Sequence, residues 1–244
     1  VNLSLGMAGL VGIYAIAALA TIALRRRDRE RPKKSATTGR PSGLRLMTLA
    51  GSLLLAILAG LWSVTQADGR LHVSFLDVGQ GDATLVITPA GRQVLIDGGR
   101  YPTVILDELG EEIPFWVRSL DMVVATHPDD DHIAGLVAVL DRYHVDMLIT
   151  NGASASLDPA FSALLDAAAE RGTQVHVAAS GEQYLLDEGA TLTILHPDAD
   201  FHAEGTNDQS IVGRLSYGNL SVLLTGDAEQ EVERLLMARN EPLS

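Results

Sequence analysis

The stretch from His127 to His132 constrains this chain most, because five of its six residues are potential metal ligands. It reads His-Pro-Asp-Asp-Asp-His and follows an apolar run, 122–126, that predicts a short buried strand, while 132–140 predict a helix. Imidazole nitrogens and carboxylate oxygens are ligands that divalent ions take, and adjacent acids without a cation repel one another. The pattern predicts a metal site between a strand and a helix. An acidic loop that caps the helix through Asp131 is the alternative, but it leaves the two histidines unexplained.

The pattern His-x-Asp-x-Asp-His resembles the His-x-His-x-Asp-His signature of the metallo-β-lactamase fold, with Asp129 in place of the second histidine. With Thr126 before it and Ile133-Ala134-Gly135 after it, the stretch resembles the external domain of ComEC-type DNA-uptake (competence) proteins. The resemblance implies an α/β fold over residues 70–244, a metallo-β-lactamase-like αββα sandwich. It also implies a later His-His-Gly-Ser turn that this sequence lacks, so we expect the domain to be truncated at its C-terminus.

Further motifs of that family lie on both sides of the histidine stretch. They are Asp77-Val78-Gly79-Gln80-Gly81-Asp82 between two predicted strands, Asn207 before a strand, and Asp227 at the end of Thr225-Gly226-Asp227. The resemblance implies that Asp131 or Asp82 orients a water molecule, and that Asp77, Gln80 and Asn207 contact substrate or support the ligands. The metal ligands that it implies are His127, Asp129, Asp131, His132 and Asp227, the last bridging two ions.

Several positions keep two interpretations at this stage. Asp97, in a Gly-rich strand end, either supports the ligands or forms a turn, and Asn207 either contacts substrate or forms an Asx turn. Asp227 has a helix cap as its alternative. His196, before Pro197, is interpreted as structural.

The ligand types indicate which cofactor to expect. An aspartate in place of a histidine makes the site harder and richer in oxygen, which shifts the expected metals from zinc alone toward manganese and magnesium as well. We expect manganese or zinc, with magnesium as a further candidate. We expect two divalent ions about 3.5–4 Å apart, a spacing that suits attack on a phosphodiester.

Two apolar runs near the start predict a membrane region. Residues 1–24 carry no charge and residues 46–66 form a second apolar run, each about the length that spans a bilayer. The loop at 25–45 is rich in Arg and Lys, which predicts a cytoplasmic loop and places residues 70–244 outside the cytoplasm. We therefore expect a multi-pass protein of the cell membrane, and a sequence starting inside an apolar run suggests a fragment of a longer one. A buried helical hairpin is the alternative.

The charge of the second part bears on its partners. After residue 45 the chain has nine arginines and 29 acidic residues, a balance of −20, which does not favour tight DNA binding. There are no cysteines, so disulfides and cysteine-ligated zinc are excluded.

Together with the metal motif, the resemblance implies the leading hypothesis, which is a metal-dependent hydrolase or nuclease that acts on the non-transported DNA strand. Its expected partners are transient single-stranded DNA, the membrane, the rest of a polytopic DNA channel and other uptake proteins. The alternatives are a non-catalytic module that guides DNA, and a hydrolase of another ester or a lactam.

Strand and helix patterns alternate over the domain, which predicts an α/β architecture. Residues 115–120 are predicted to form a helix leading into the strand before His127.

Overall fold

The structure is a computed structural model, and it describes residues 43–64, 67–153, 159–198 and 205–239. The predicted membrane span at 1–24 and nearly all of the basic loop at 25–45 lie outside these ranges. The chain divides after Asp68 into two units. In the first unit, helix α1 (Gly43–Val64) covers most of the second predicted span. Of the helices within the described ranges, none is both long and apolar enough to cross a membrane.

The described residues of the second unit form two β-sheets. The first sheet has six strands in the order β1-β2-β3-β4-β5-β6, with β1, β2 and β3 antiparallel and β3 to β6 parallel. Its strands are β1 (His72–Phe75), β2 (Thr84–Ile87), β3 (Gln93–Ile96), β4 (Ser119–Ala125), β5 (His144–Thr150) and β6 (Gln174–Val177). The parallel strands are joined by helices α2 (Pro102–Glu112), α3 (Asp130–Arg142) and α4 (Pro159–Arg171). The carboxyl ends of parallel strands share one edge, where α/β proteins commonly bind ligands.

Alternation along the strands gives this sheet two buried faces. On β4, Val123 packs in the core against the helices, whereas Met122 and Val124 pack in the core between the sheets. The same division holds on β3, where Leu95 faces the helices and Val94 faces the second sheet. A sheet covered on both faces explains why these strands read as continuous apolar runs.

The second sheet is antiparallel, with the order β10-β9-β8-β7. Helix α5 packs its buried Val232 and Leu236 against Leu195 and Val212 of this sheet. Helices thus cover the outer face of each sheet, which is the predicted αββα arrangement. The elements are β7 (Gln183–Asp187), β8 (Ala190–His196), β9 (Val212–Tyr217), β10 (Leu220–Leu224) and α5 (Gln230–Ala238).

One local prediction is wrong. Residues 115–120 do not form a helix: Val117 closes a turn on the carbonyl of Pro114, and β4 begins at Ser119. Leu120 is fully buried and pairs with Val145 in the parallel sheet, so tertiary packing outweighs the local pattern. The alternative in which Asp131 caps helix α3 does not hold, because Asp129 is the N-cap residue and Asp131 lies in the first turn.

Candidate metal centre

The two histidines of the central motif come from one strand end and one helix start. His127 follows β4, His132 lies in the first turn of α3, and their ring centroids are 4.2 Å apart. Both side chains are almost fully buried. The short connection between strand and helix therefore holds both imidazoles in one protein-lined corner.

Asp97 fixes the orientation of both rings. Its carboxylate accepts hydrogen bonds from the backbone N–H of Thr126 at 2.8 Å, from the Thr126 hydroxyl at 2.7 Å and from Nδ1 of His132 at 2.9 Å. Because the Thr126 hydroxyl gives its proton to Asp97, its oxygen is an acceptor for Nδ1–H of His127, 3.0 Å away. In both histidines Nδ1 thus carries a proton, so Nε2 is the ring nitrogen that is available to a metal.

The backbone of Asp97 shows what this arrangement requires. Its φ angle of 57° lies in the left-handed region, which non-glycine residues seldom occupy, although aspartate tolerates it better than most. Its N–H donates to the carbonyl of Val124 on the neighbouring strand. This unusual conformation turns the buried carboxylate toward Thr126 and His132.

Glycines let the surrounding segments approach closely. A Cβ atom on Gly135 would stand 2.0 Å from the carbonyl oxygen of Gly98, and one on Gly81 would stand 1.5 Å from the carbonyl oxygen of Asp131. The N–H of Gly98 also donates to the carbonyl of His132 at 2.7 Å. Helix α3 therefore packs with its backbone against the strand ends, and His132 is placed by that contact.

Asp227 approaches the histidines from the second sheet. It follows β10, is about two-fifths exposed, and its Oδ1 lies 3.4 Å from Nε2 of His132. One ligand atom from each of His127, His132 and Asp227 lies within 4.8 Å of the others. Two ligand atoms of a tetrahedral metal, each about 2.1 Å from it, lie about 3.4 Å apart. Nε2 of His127 is buried and has no hydrogen-bond partner among the described residues, so the three residues fit a divalent metal.

The electrostatics differ between the two histidines. Burial, reinforced by the neighbouring His132, lowers the pKa of His127 and keeps its ring neutral, so the approach of Asp129 to 3.7 Å is not an ion pair. Burial also acts to lower the pKa of His132, but the hydrogen bond and charge of Asp97, together with Asp227 and Asp131, outweigh it and raise the pKa to about 9. His127 is thus a neutral imidazole, whereas the surroundings of His132 strongly favour positive charge.

The other residues predicted for the site before β5 lie in the loops at 77–82 and 127–132. Burial raises the pKa of Asp82, which interacts electrostatically with both histidines and with Asp227. Asp131 accepts a hydrogen bond from Nε2 of Gln80 at 3.4 Å. Asp77 stands at the start of the same loop, where its backbone N–H donates to Glu108. Asp129 and Asp131 thus border the cluster, and their metal ligation stays a prediction.

Residues 206–210 form a second border, which we call the site loop. Thr206 donates from its hydroxyl to Asp129 at 3.2 Å, and the side-chain N–H of Asn207 donates to Glu229 at 3.2 Å. The backbone N–H of Asp227 in turn donates to the buried Ser210 hydroxyl. Asn207 is thus held near the site by Glu229, a residue that the sequence patterns did not single out.

His196 has a role that the sequence left unassigned beyond a structural one. It is fully buried, and its Nε2–H donates to the backbone carbonyl of Asp208 at 2.9 Å. Burial lowers its pKa, so the ring is neutral. His196 therefore anchors the middle of the site loop and does not belong to the metal cluster.

The chain matches the model of the metallo-beta-lactamase superfamily over residues 76–242. It is 32% identical to ComE operon protein 3 of Bacillus subtilis over 182 residues, covering 68% of this chain and 23% of that protein. It is 29% identical to Recombination protein 2 of Haemophilus influenzae over 168 residues, covering 67% of this chain and 19% of that protein. The chain thus spans about a fifth to a quarter of the length of these relatives.

Among solved structures, one similar fold is CmlA, a diiron beta-hydroxylase from Streptomyces venezuelae. The two are 15% identical with a TM-score of 0.46, and the match covers 72% of this chain and 34% of CmlA. The family model covers more than half of the chain, and the two curated relatives confirm the ComEC-type resemblance of its motifs. The chain belongs to the metallo-β-lactamase superfamily and is of the ComEC-type competence group.

Proposed function

We propose that this chain is the membrane-tethered external domain of a DNA-uptake protein, and that it hydrolyses phosphodiester bonds of the strand that does not enter the cell. The observation that carries the proposal is the cluster of His127, His132 and Asp227 in a chain similar to ComE operon protein 3. Its partners in this proposal are single-stranded DNA, the rest of a polytopic DNA channel and other uptake proteins.

The proposed cofactor is a pair of divalent ions, manganese or zinc, with magnesium as a further candidate. Divalent metals bound here supply Lewis-acid polarisation of a phosphodiester and activation of water. His127 and His132 offer Nε2 atoms whose other ring nitrogens are held through Asp97, and Asp227 offers a carboxylate oxygen. We propose that Asp129 and Asp131 complete the donor set with oxygen ligands.

Asp82 is the better candidate for handling the proton of the attacking water. It interacts electrostatically with both histidines and with Asp227, and a carboxylate beside the metals can accept a proton from water. Asp131 is already hydrogen-bonded to Gln80, which suits holding in place residues 127–132, which we call the ligand loop. Asn207 keeps its side-chain carbonyl oxygen for substrate or water while its N–H donates to Glu229.

The acidity of the domain sets the expected mode of DNA binding. A balance of −20 after residue 45 leaves few phosphate contacts to arginine, so affinity depends on the metal charges and is modest and salt-sensitive.

Membrane tethering rests on the two apolar runs and on the surface of helix α1. Met47, Leu53 and Leu55 are each more than 60% exposed, and no acidic or basic residue follows Arg45 in this helix.

Cysteines placed at Ser35 and Ser154 test the topology. An impermeant reagent outside the cell should label the cysteine at position 154 and not the one at position 35. Labelling of Ser35 alone would contradict it.

The hydrolytic proposal is tested with end-labelled single-stranded DNA, the full chain and added manganese or zinc. We expect cleavage by the wild type and loss of cleavage in Asp227→Asn. The matched control is Asp146→Asn, which changes an exposed aspartate near the end of β5 that lies away from the metal cluster. A lactam substrate is assayed in parallel. Turnover of the lactam without DNA cleavage would favour the ester or lactam hydrolase. Metal-loaded protein that retards DNA but cleaves nothing would favour the guiding module.

A further inference from the structure

An exposed aromatic ring and an arginine lie beside the ligand loop and have no part in the metal cluster. Tyr101 is about half exposed, although its backbone carbonyl accepts hydrogen bonds from the N–H groups of Val104 and Ile105 in helix α2, which hold the residue in place. Two carbons of its ring lie 3.9 and 4.0 Å from the position that a Cβ on Gly79 would occupy. The ring therefore leans on the loop at 77–82 and leaves part of its surface to solvent.

Arg100 connects this ring to the metal motif. Its backbone N–H donates to the carbonyl of Gln80, whose side chain reaches Asp131. Its guanidinium lies 3.8 Å from Asp130, and both side chains are about half exposed. An ion pair so open to water is weak, so the guanidinium can exchange Asp130 for another anion.

We infer that Tyr101 and Arg100 form a subsite for single-stranded nucleic acid at the rim of the metal centre, with a base stacked on the ring and a phosphate on the guanidinium. The inference rests on the proposed function, because it names how the same site holds its substrate. An aromatic ring accepts any base, so the subsite is indifferent to sequence. A duplex keeps its bases stacked inside, so the subsite selects single strands.

The position of the pair suits this role. After residue 45 the chain has only nine arginines against 29 acidic residues, so few side chains can contact phosphate. Arg100 is one of them, and it lies next to the ligand loop, where a phosphate near the metal centre would be. Arg171, which is paired with Asp141, lies at the end of α4, away from the strand ends that carry the ligands.

The test compares binding of a fluorescent single-stranded oligonucleotide with hydrolysis of bis(p-nitrophenyl) phosphate, which has a phosphodiester but no bases. For Tyr101→Ala we expect affinity for the oligonucleotide to fall by about tenfold, while Tyr101→Phe stays close to the wild type. Hydrolysis of the small ester stays unchanged in both. Phe115→Ala, another exposed aromatic, which lies before β4, is the matched control.

For Arg100→Gln we expect the slope of log affinity against log salt to fall by about one, with Arg171→Gln as its control. Equal oligonucleotide affinity in the wild type and Tyr101→Ala would overturn the inference, as would an equal loss of small-ester hydrolysis or a lowered melting temperature in that variant. Binding is measured apart from cleavage. A wild type that binds the oligonucleotide through Tyr101 but hydrolyses neither substrate would therefore refute the proposed function and leave the subsite standing.

Discussion

The two sheets contribute to the metal centre in different ways. The first sheet and its helix α3 supply His127 and His132, which are both buried. Nδ1 of His132 is hydrogen-bonded to Asp97, and Nδ1 of His127 is held through Thr126, which is bonded to the same carboxylate. The second sheet supplies Asp227, which is about two-fifths exposed and whose backbone is held by the Ser210 hydroxyl. We call these the buried half and the open half of the site. We therefore expect changes in the buried half to affect folding, and changes in the open half to affect mainly metal binding.

The largest effect is expected when the buried half is broken at Asp97. Asp97→Ala removes the acceptor of three hydrogen bonds and leaves Thr126 and His132 with unsatisfied buried groups. At about 1–3 kcal/mol for each group, we expect the free energy of unfolding to fall by at least about 3 kcal/mol. Denaturant unfolding without metal measures it. A loss below about 1 kcal/mol would show that the buried half is not part of the folding core.

Metal removal is expected to have the next largest effect. Metal at about a hundred times its dissociation constant should stabilise the wild type by about 2.7 kcal/mol, and chelation should remove that gain. Thermal melts with and without EDTA measure it. Asp227→Asn should show a much smaller difference between the two melts, because the open half is then incomplete. An equal EDTA effect in both proteins would mean that Asp227 does not bind the metal.

Without metal, Asp227→Asn should change the free energy of unfolding by no more than about 0.5 kcal/mol, since the side chain is partly exposed. The contrast with Asp97→Ala is the sharpest form of the comparison. A strong destabilisation of the metal-free Asp227→Asn variant would remove the distinction between the halves.

His196 anchors the site loop, which holds Asp227, and the pH dependence of stability tests whether its buried ring is neutral. Burial lowers its folded pKa, with Asp198 and Asp208 acting to raise it and Arg239 to lower it. Below the unfolded value of about 6.5 the unfolded chain takes up a proton that the folded protein resists, so this group costs stability as pH falls from there. His196→Gln should be less stable than the wild type at pH 7.5, and the gap should narrow toward pH 5. A constant gap would contradict the buried, neutral histidine.

The smallest effect is expected at Thr206. Thr206→Val removes one exposed hydrogen bond to Asp129, so stability should change by no more than about 0.5 kcal/mol and metal affinity by no more than about threefold. Calorimetric titration measures the affinity. A tenfold loss would place Asp129 among the ligands that the site loop controls.

The pairing of His127 with His132 could be predicted from the sequence, because both histidines lie within six consecutive residues between a strand and a helix. It left Asp97 open, since its partners Thr126 and His132 reach it only through the parallel pairing of β3 with β4 and the docking of α3. Glu229 and Ser210 went unnoticed for the same reason: each acts on a residue of the site from a distant point in the sequence. The prediction of a helix at 115–120 was wrong because the pairing of Leu120 with Val145 in the sheet outweighs the local pattern.

The contact between Gly98 and Gly135 has a consequence for how the centre is assembled. The helix backbone lies directly against the strand end there, with the side chains of Leu136 and Ile105 beside the contact. A side chain at Gly135 would push helix α3 away from the strand end and His132 away from His127. The position of His132 therefore depends on the docking of this helix. A partly folded chain has the two ligands in its sequence but not yet a place for the metal.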